Sequence, residues 1–231
     1  MALRLGVVCD DEAGRLAGLA GAPADGDVVV SLGVPQEAPS APWVLWRERD
    51  GGEKAPEPPP DRVLSPAGHS VWRHAPWPVN DALFELPPPA EPAIAVAVEN
   101  PDRREELVRG IGDRAPVVAC ERLTEDVLRR ATVVIMAAGT GCFPARAFAV
   151  LAARRVLVLD DHVVAFGLLA GRDHVQAATD GEVVLAAASV SRHPASFTWM
   201  RELGVLAAER HRASRVYARL ATDLELDGLA R

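Results

Sequence analysis

Apolar residues recur along the chain in two rhythms, and the change between them falls near residue 90. Residues 3–9 and 27–32 are short, nearly unbroken apolar runs, clearest at Val28-Val29-Val30. A strand covered on both faces, as in a parallel sheet, reads this way. Residues 12–20 between them predict a short helix. Trp43-Val44-Leu45-Trp46 and Arg62-Val63-Leu64 are long enough only for strands. Residues 51–60 are rich in Pro, Gly and charge, the composition of a solvated loop. Pro76, Pro78 and Pro87-Pro88-Pro89 bracket a segment that is neither helix nor central strand, so the connection between domains is expected at residues 86–92.

From residue 93 the rhythm becomes regular. Strands are predicted at residues 93–98, 116–120, 132–137, 155–159 and 174–178. Helices are predicted at residues 102–110, 124–131, 144–154, 166–170 and 181–189. Thr124, followed by Glu125 and Asp126, reads as a helix N-cap with acidic residues in the first turn. Strands alternating with helices at this spacing imply a doubly wound parallel sheet. Right-handed crossovers then put all strand carboxyl ends on one edge, where ligands bind. In the tail, about residues 196–224, the apolar positions Trp199, Leu203, Leu206, Val216, Tyr217 and Leu220 recur at helical spacing and read as a packing stripe.

Composition narrows the partners. The 231 residues, 49% hydrophobic and 25% charged, describe an ordinary soluble chain able to bury a core. The excess of Ala, Val, Leu and Arg has the look of a GC-rich coding bias. A net charge of −7 argues against a nucleic-acid partner, and paired arginines such as Arg129-Arg130 and Arg154-Arg155 suit helix ends. No stretch is apolar for the ~18 residues of a membrane span. The first residues read as a strand rather than a signal peptide. Three cysteines, Cys9, Cys120 and Cys142, have no metal-ligand spacing, so no metal site and a reduced, cytoplasmic setting are expected.

The candidate chemistry gathers at strand ends. Gly139-Thr140-Gly141-Cys142-Phe143-Pro144 separates a strand from a helix whose start carries unpaired N–H groups and a positive dipole end. Small residues there admit a phosphate close to the backbone, Thr140 offers a hydroxyl, and Arg146 one turn on offers a charge-assisted contact. The same glycines also suit a plain tight turn. Asp10 and Asp11 follow the first strand and fit a general base or Mg²⁺ as well as a helix cap. His69 and His162 lie just past predicted strand ends, where they fit a catalytic base and a phosphate or sugar contact, or ordinary surface loops. Each cysteine falls at or just beyond a strand end, consistent with packing. Arg103 and Arg104 begin a helix and are expected to pair with Glu105 or Glu106.

One stretch carries a resemblance. Gly139 to Ala153, with Arg146-Ala147-Phe148-Ala149-Val150-Leu151-Ala152 inside it and Val156-Leu157-Val158-Leu159-Asp160 after it, resembles the donor-site strand, loop, helix and strand of GT-B glycosyltransferases. The spore-maturation-protein-like group is the nearest in pattern. Residues 167–175, Asp180-Gly181-Glu182 and Glu209-Arg210-His211 are similar to that family's later elements, and residues 61–66 and 76–84 to the end of its first domain and hinge. In all, residues 60–220 are covered.

The resemblance implies an α/β fold of two Rossmann-like parallel-sheet lobes, the N-terminal one reduced. Residues 1–88 would form that lobe, 89–205 the nucleotide-binding lobe, and 206–231 a helix crossing between them. It implies transfer of a glycosyl group from a nucleotide-sugar to an unidentified acceptor, with no cofactor and no metal. Gly139, Thr140, Gly141, Cys142, Arg146 and His162 would hold the donor, and Asp10 or His69 would act as base. The chain departs from the family at Ala149, normally a Glu expected to hold the ribose hydroxyls, and in Cys9-Asp10-Asp11-Glu12, where a Gly-rich loop is usual. A non-catalytic relation, serving as a nucleotide-binding or partner subunit or as a homo-oligomer, is the alternative. Trp43, Trp46, Trp72 and Trp77 would then be candidate contact surfaces, though packing between the lobes explains them equally well.

Overall fold

A computed structural model describes residues 5–8, 16–18, 28–32, 37, 39, 43–46, 57, 59–60, 62–65, 73–74, 76–136, 143–160 and 167–226, and the structure below is that of these residues. The chain divides into two compact units, Met1–Asp81 with Arg210–Arg231, and Ala82–Glu209.

In the first unit, β1 (Leu5–Val8), β2 (Val28–Leu32), β3 (Trp43–Trp46), β4 (Arg62–Ser65) and β5 (Arg73–His74) form a parallel sheet in sequential order. The apolar runs place themselves here because a parallel strand is covered on both faces. All four residues of β3 are buried. The tryptophans therefore do not offer a contact surface. Trp43, Trp46 and Trp77 are at most 5% exposed, and the rings of Trp46 and Trp77 meet edge-on with centroids 6.1 Å apart. Indoles of this size contribute more as core than as surface. Trp72 lies outside the described residues.

The second unit alternates strand and helix: β6 (Ala93–Ala97), α1 (Pro101–Ile111), β7 (Val117–Cys120), α2 (Glu125–Arg130), β8 (Ala131–Met136), α3 (Phe143–Ala152), β9 (Val156–Asp160), β10 (Val175–Ala177), α4 (Asp180–Arg192) and α5 (Thr198–Ala208). Its five strands are all parallel, in the order β10-β9-β8-β6-β7. Ile94, Val96, Val133, Ile135, Val156 and Val158 form one core with Leu107 and Ile111 of α1 and Val183 and Ala187 of α4. Alternate residues turn to the other face, where α3 packs on β9 and α5. Thr124 caps α2 as its sequence predicts, its hydroxyl accepting the Val127 N–H at 3.2 Å.

Two expectations change. Residues 167–170 are not helical. Gly167 and Gly171 have φ of +73° and +74°, and the Asp173 carboxylate accepts the Leu169 N–H at 2.9 Å, which holds the segment as a tight turn. The tail stripe is also partly reversed. Trp199 and Leu206 are exposed, while Met200, Gly204, Val205 and Ala208 face inward. The reason is close packing: a Cβ on Gly204 would lie 2.9 Å from Leu151 Cδ2, so the small residues of α5 rather than its large ones approach α3.

At the amino edge of this sheet α3 ends on Arg154, at φ +57°. Arg155, which is buried, then donates to the Leu128 carbonyl at 2.9 Å and the Pro87 carbonyl at 2.7 Å. Burial, with Arg201 nearby, pushes this guanidinium down to about 10, so it remains charged at neutral pH. It ties the proline-rich connection to the end of α2.

Back in the first unit, α6 (Ala213–Leu226) is held by main-chain bonds from Val79 N–H to His211 O (2.7 Å) and from Ala213 N–H to Val79 O (2.8 Å). The Tyr217 hydroxyl donates to Ala17 O at 2.9 Å. Val216, Leu220 and Leu224 supply the buried face of α6.

Phe148 is among the largest fully buried side chains, on the α3 face of the sheet. Phe148→Ala is expected to lower the unfolding free energy by about 3–5 kcal/mol, read from denaturant titration. A loss below about 1 kcal/mol would mean that α3 is not packed as described.

Candidate functional site

The second sheet reverses direction at β6: the chain passes from β6 outward to β7, then crosses to the other side at β8. Such a reversal opens a crevice outside the strand carboxyl ends. The strand ends are level there, since Ala97 pairs with Met136 and with Cys120, and Met136 pairs with Leu159.

Among the described residues, the ends of β6, β9 and β10 bring charge to that edge. Asn100 caps α1, its side chain accepting the Arg103 N–H at 3.0 Å. This places Arg103 in the first turn, where its Nη2 lies 2.7 Å from Asp160 and 2.7 Å from Asp180. Asp160 closes β9 with its side chain only 2% exposed. Asp180 begins α4 behind the Thr179 cap, whose hydroxyl accepts the Glu182 N–H, while the Glu182 carboxylate accepts the Ala178 N–H. Burial opposes the charge on Arg103, but the Asp180 and Asp160 hydrogen bonds outweigh it and hold the guanidinium protonated. Arg104 turns instead to the Val98 carbonyl at 2.7 Å. The expected pairing of these arginines with Glu105 or Glu106 is therefore corrected. Those two glutamates are exposed on the outer side of α1, whereas Arg103 clamps the ends of β9 and β10 to that of β6.

Across the reversal point, Arg146 of α3 lies 3.2 Å from Glu99, two residues past the end of β6. Of the residues expected to hold a donor, Arg146 alone is described, and it stands on this edge. Gly139, Thr140, Gly141, Cys142 and His162, and the candidate bases Asp10 and His69, lie outside the described residues. Among the described strands the first sheet runs in sequential order without a reversal. Cys120 ends β7 with its Sγ 3.7 Å from the Val96 carbonyl, a packed position. Among the described residues no group of three or more His, Cys, Asp or Glu is placed to hold a metal ion, and no helix is long and apolar enough to cross a membrane.

The resemblance passes through Asp160 and Asp180 without giving either a role at the site, and Glu99 lies in no motif. What could have found them is position: each follows or closes a strand, or opens a helix, on the edge where Arg103 and Arg146 also begin helices. Ala149, one turn beyond Arg146, is fully buried.

The architecture has counterparts among solved structures. An alpha1,3-fucosyltransferase superposes at a TM-score of 0.51 with 10% identity, over 89% of this chain and 80% of that one. An alpha1,3-fucosyltransferase structure with GDP-fucose gives 0.50 with 10% identity, over 97% and 90%. The fold is that of a GT-B-like glycosyltransferase. At this identity the likeness extends to the fold alone. No protein-family model and no curated protein sequence matches the chain.

Away from this edge, Asp173 and His174 precede β10 at its amino end. Burial opposes ionisation of Asp173, but the Arg172 guanidinium and the Leu169 N–H outweigh it and hold the carboxyl below the usual range. His174 is 2% exposed, and its Nδ1 has no hydrogen-bond partner among the described residues. Burial pushes its pKa below the ordinary 6.5, only partly offset by Asp173.

Two outcomes follow from these contacts. Arg103→Met leaves Asp160 buried without its cation and should cost about 2–4 kcal/mol of stability, with Arg103→Lys intermediate; denaturant curves equal to wild type would contradict the clamp. His174 is neutral when folded, so its contribution is present above the ordinary 6.5 and is lost as pH falls below that value. His174→Phe should flatten that part of the stability–pH curve, and an unchanged acid slope would contradict burial of a neutral imidazole.

Proposed function

We propose that the crevice at the β6/β8 reversal binds the phosphates of a nucleotide or nucleotide-sugar, and that the protein transfers the glycosyl group to an acceptor. The observation that carries this reading is the position of Arg146, on a helix that opens from a strand carboxyl end at the reversal point of a GT-B-like fold. There the helix dipole and the guanidinium act together on an anion, with no metal required by the chemistry. Gly139, Thr140, Gly141 and Cys142 complete the phosphate loop in this proposal, and His162 contacts the phosphate or sugar. Asp10 or His69 takes the acceptor proton as base. The setting proposed is cytoplasmic.

A second reading has its own support. Ala149 is fully buried and cannot accept ribose hydroxyl hydrogen bonds, and Arg103 and Arg146 are both already paired with carboxylates. A site built on a polar contact loses much of its discrimination when that contact is missing. This favours a non-catalytic protein that binds a nucleotide, or a protein partner, without glycosyl transfer.

Titration with UDP, GDP, ADP, TDP and their sugars followed by thermal unfolding separates these outcomes. Binding to the native state stabilises it by ~2.7 kcal/mol at a hundred times the dissociation constant. The donor reading expects one of these ligands to raise Tm in wild type and to lose that effect in Arg146→Ala. An unchanged Tm with every nucleotide would overturn it. Nucleotide binding with no glycosyl transfer or donor hydrolysis would leave the second reading standing.

A further inference from the structure

We propose that Glu99 sets the phosphate affinity of this crevice by competing for Arg146, so that a ligand phosphate binds the guanidinium against the hold and the charge of that carboxylate. The inference rests on the donor-site reading above and deepens it.

The two cations of the edge are held differently. Arg103 bridges two carboxylates at 2.7 Å, one of them 2% exposed. Withdrawing it would leave Asp160 charged in a buried position, which is strongly unfavourable. Arg146 instead makes a longer contact of 3.2 Å with Glu99, and the side chains are 19% and 37% exposed. A partly solvated pair of this kind is weakly held. Arg146 is thus the guanidinium that can take a new partner, and Glu99 is the carboxylate that competes for it.

Charge sets which ligands notice. On this edge Glu99, Asp160 and Asp180 face Arg103 and Arg146, with the Arg104 guanidinium held on the Val98 carbonyl. A phosphate arriving at Arg146 meets the Glu99 carboxylate at close range, and like charges a few ångströms apart repel even near a surface. The penalty grows with the ligand's charge. It is largest for a nucleoside diphosphate and small for a nucleoside without phosphate. Glu99 therefore acts as a specificity-determining residue against highly charged ligands, while the glycosyl group and base are read elsewhere.

The test is calorimetric titration of wild type, Glu99→Gln and Arg146→Ala with UDP, GDP and ADP and with the matching nucleosides. Glutamine keeps the shape of residue 99 and removes its charge. The expected result is diphosphate binding about three- to tenfold tighter in Glu99→Gln than in wild type, with nucleoside binding changed far less and with Tm in the absence of ligand close to wild type. Diphosphate binding measurable only in Glu99→Gln also supports the proposal. Wild-type binding that Arg146→Ala abolishes and Glu99→Gln leaves equal or weaker overturns the role of Glu99 while the donor site survives. Equal tightening for nucleosides and diphosphates overturns it too, because a general change of shape would do that. No binding by either wild type or Glu99→Gln removes the donor site and the role of Glu99 together.

Discussion

A parallel strand has both faces to cover and no hairpin to return through. That constraint organises both units. Each strand of the second sheet must be left by a connection that crosses back over one face, and right-handed crossovers bring every strand into the sheet pointing the same way. The long apolar runs at β6, β8 and β9 follow directly, since α1 and α4 cover one face and α3 packs on β9 from the other. The same winding gathers every strand carboxyl end and the first turns of α1, α3 and α4 on one edge. Polar chemistry collects there because those turns are the positions in the unit that are both fixed by the core and open to a ligand.

Charge then separates between the two edges. Helices leave the carboxyl edge by their N-termini and arrive at the amino edge by their C-termini, so dipoles favour acids at the first and arginines at the second. Asp180 and Glu182 open α4, whereas Arg129 and Arg130 close α2 and Arg192 closes α4. Arg155 belongs to the same pattern, its guanidinium serving carbonyls at the end of α2 and in the connection. Against this background Arg103 and Arg146 run contrary to the dipole, each being a cation near the start of a helix. Such a placement is unfavourable by itself and is offset here by Asp160, Asp180 and Glu99. Paired charges at an otherwise acidic edge need explaining in a way that solvated helix-end arginines do not.

Much of the fold was legible because its signals are local. Val28-Val29-Val30, the strands from residue 93 onward and the Thr124 cap each carry their cause within a few residues. The failures occurred where the deciding contact lies far away in sequence. Arg103 was assigned to Glu105 and Glu106 by adjacency, but its partners lie 57 and 77 residues further on, and only the sheet order brings them near. Residues 167–170 carried the composition of a helix, yet the turn is set by the Asp173 carboxylate and two glycines with positive φ. Trp199 and Leu206 looked like a packing face because size was weighed and clearance was not. At Gly204 the clearance to Leu151 decides the matter. Of the donor residues named from the sequence, the structure speaks to Arg146, and it adds a partner, Glu99, that no motif singled out.

Ala149 bears on what the edge recognises. It sits on α3 between Phe148 and Val150, all three buried, on the helix whose Arg146 reaches the crevice. Because Ala149 is fully buried, a glutamate at this position would place a carboxylate out of solvent, where an unpaired charge is strongly disfavoured. The alanine is therefore fitted to this core, and it is more than a missing contact in an otherwise complete site. Recognition of a ribose at this edge would have to draw on acceptors supplied by other elements. Among the described residues the carboxylates at hand are Glu99 and Asp180, each tied to an arginine. On the proposed donor reading, a hydroxyl that donates to one of them would draw on the same ion pairs a phosphate would disturb. On that reading sugar and phosphate recognition would be coupled through Arg103 and Arg146, whereas a dedicated ribose glutamate would let the two be tuned separately.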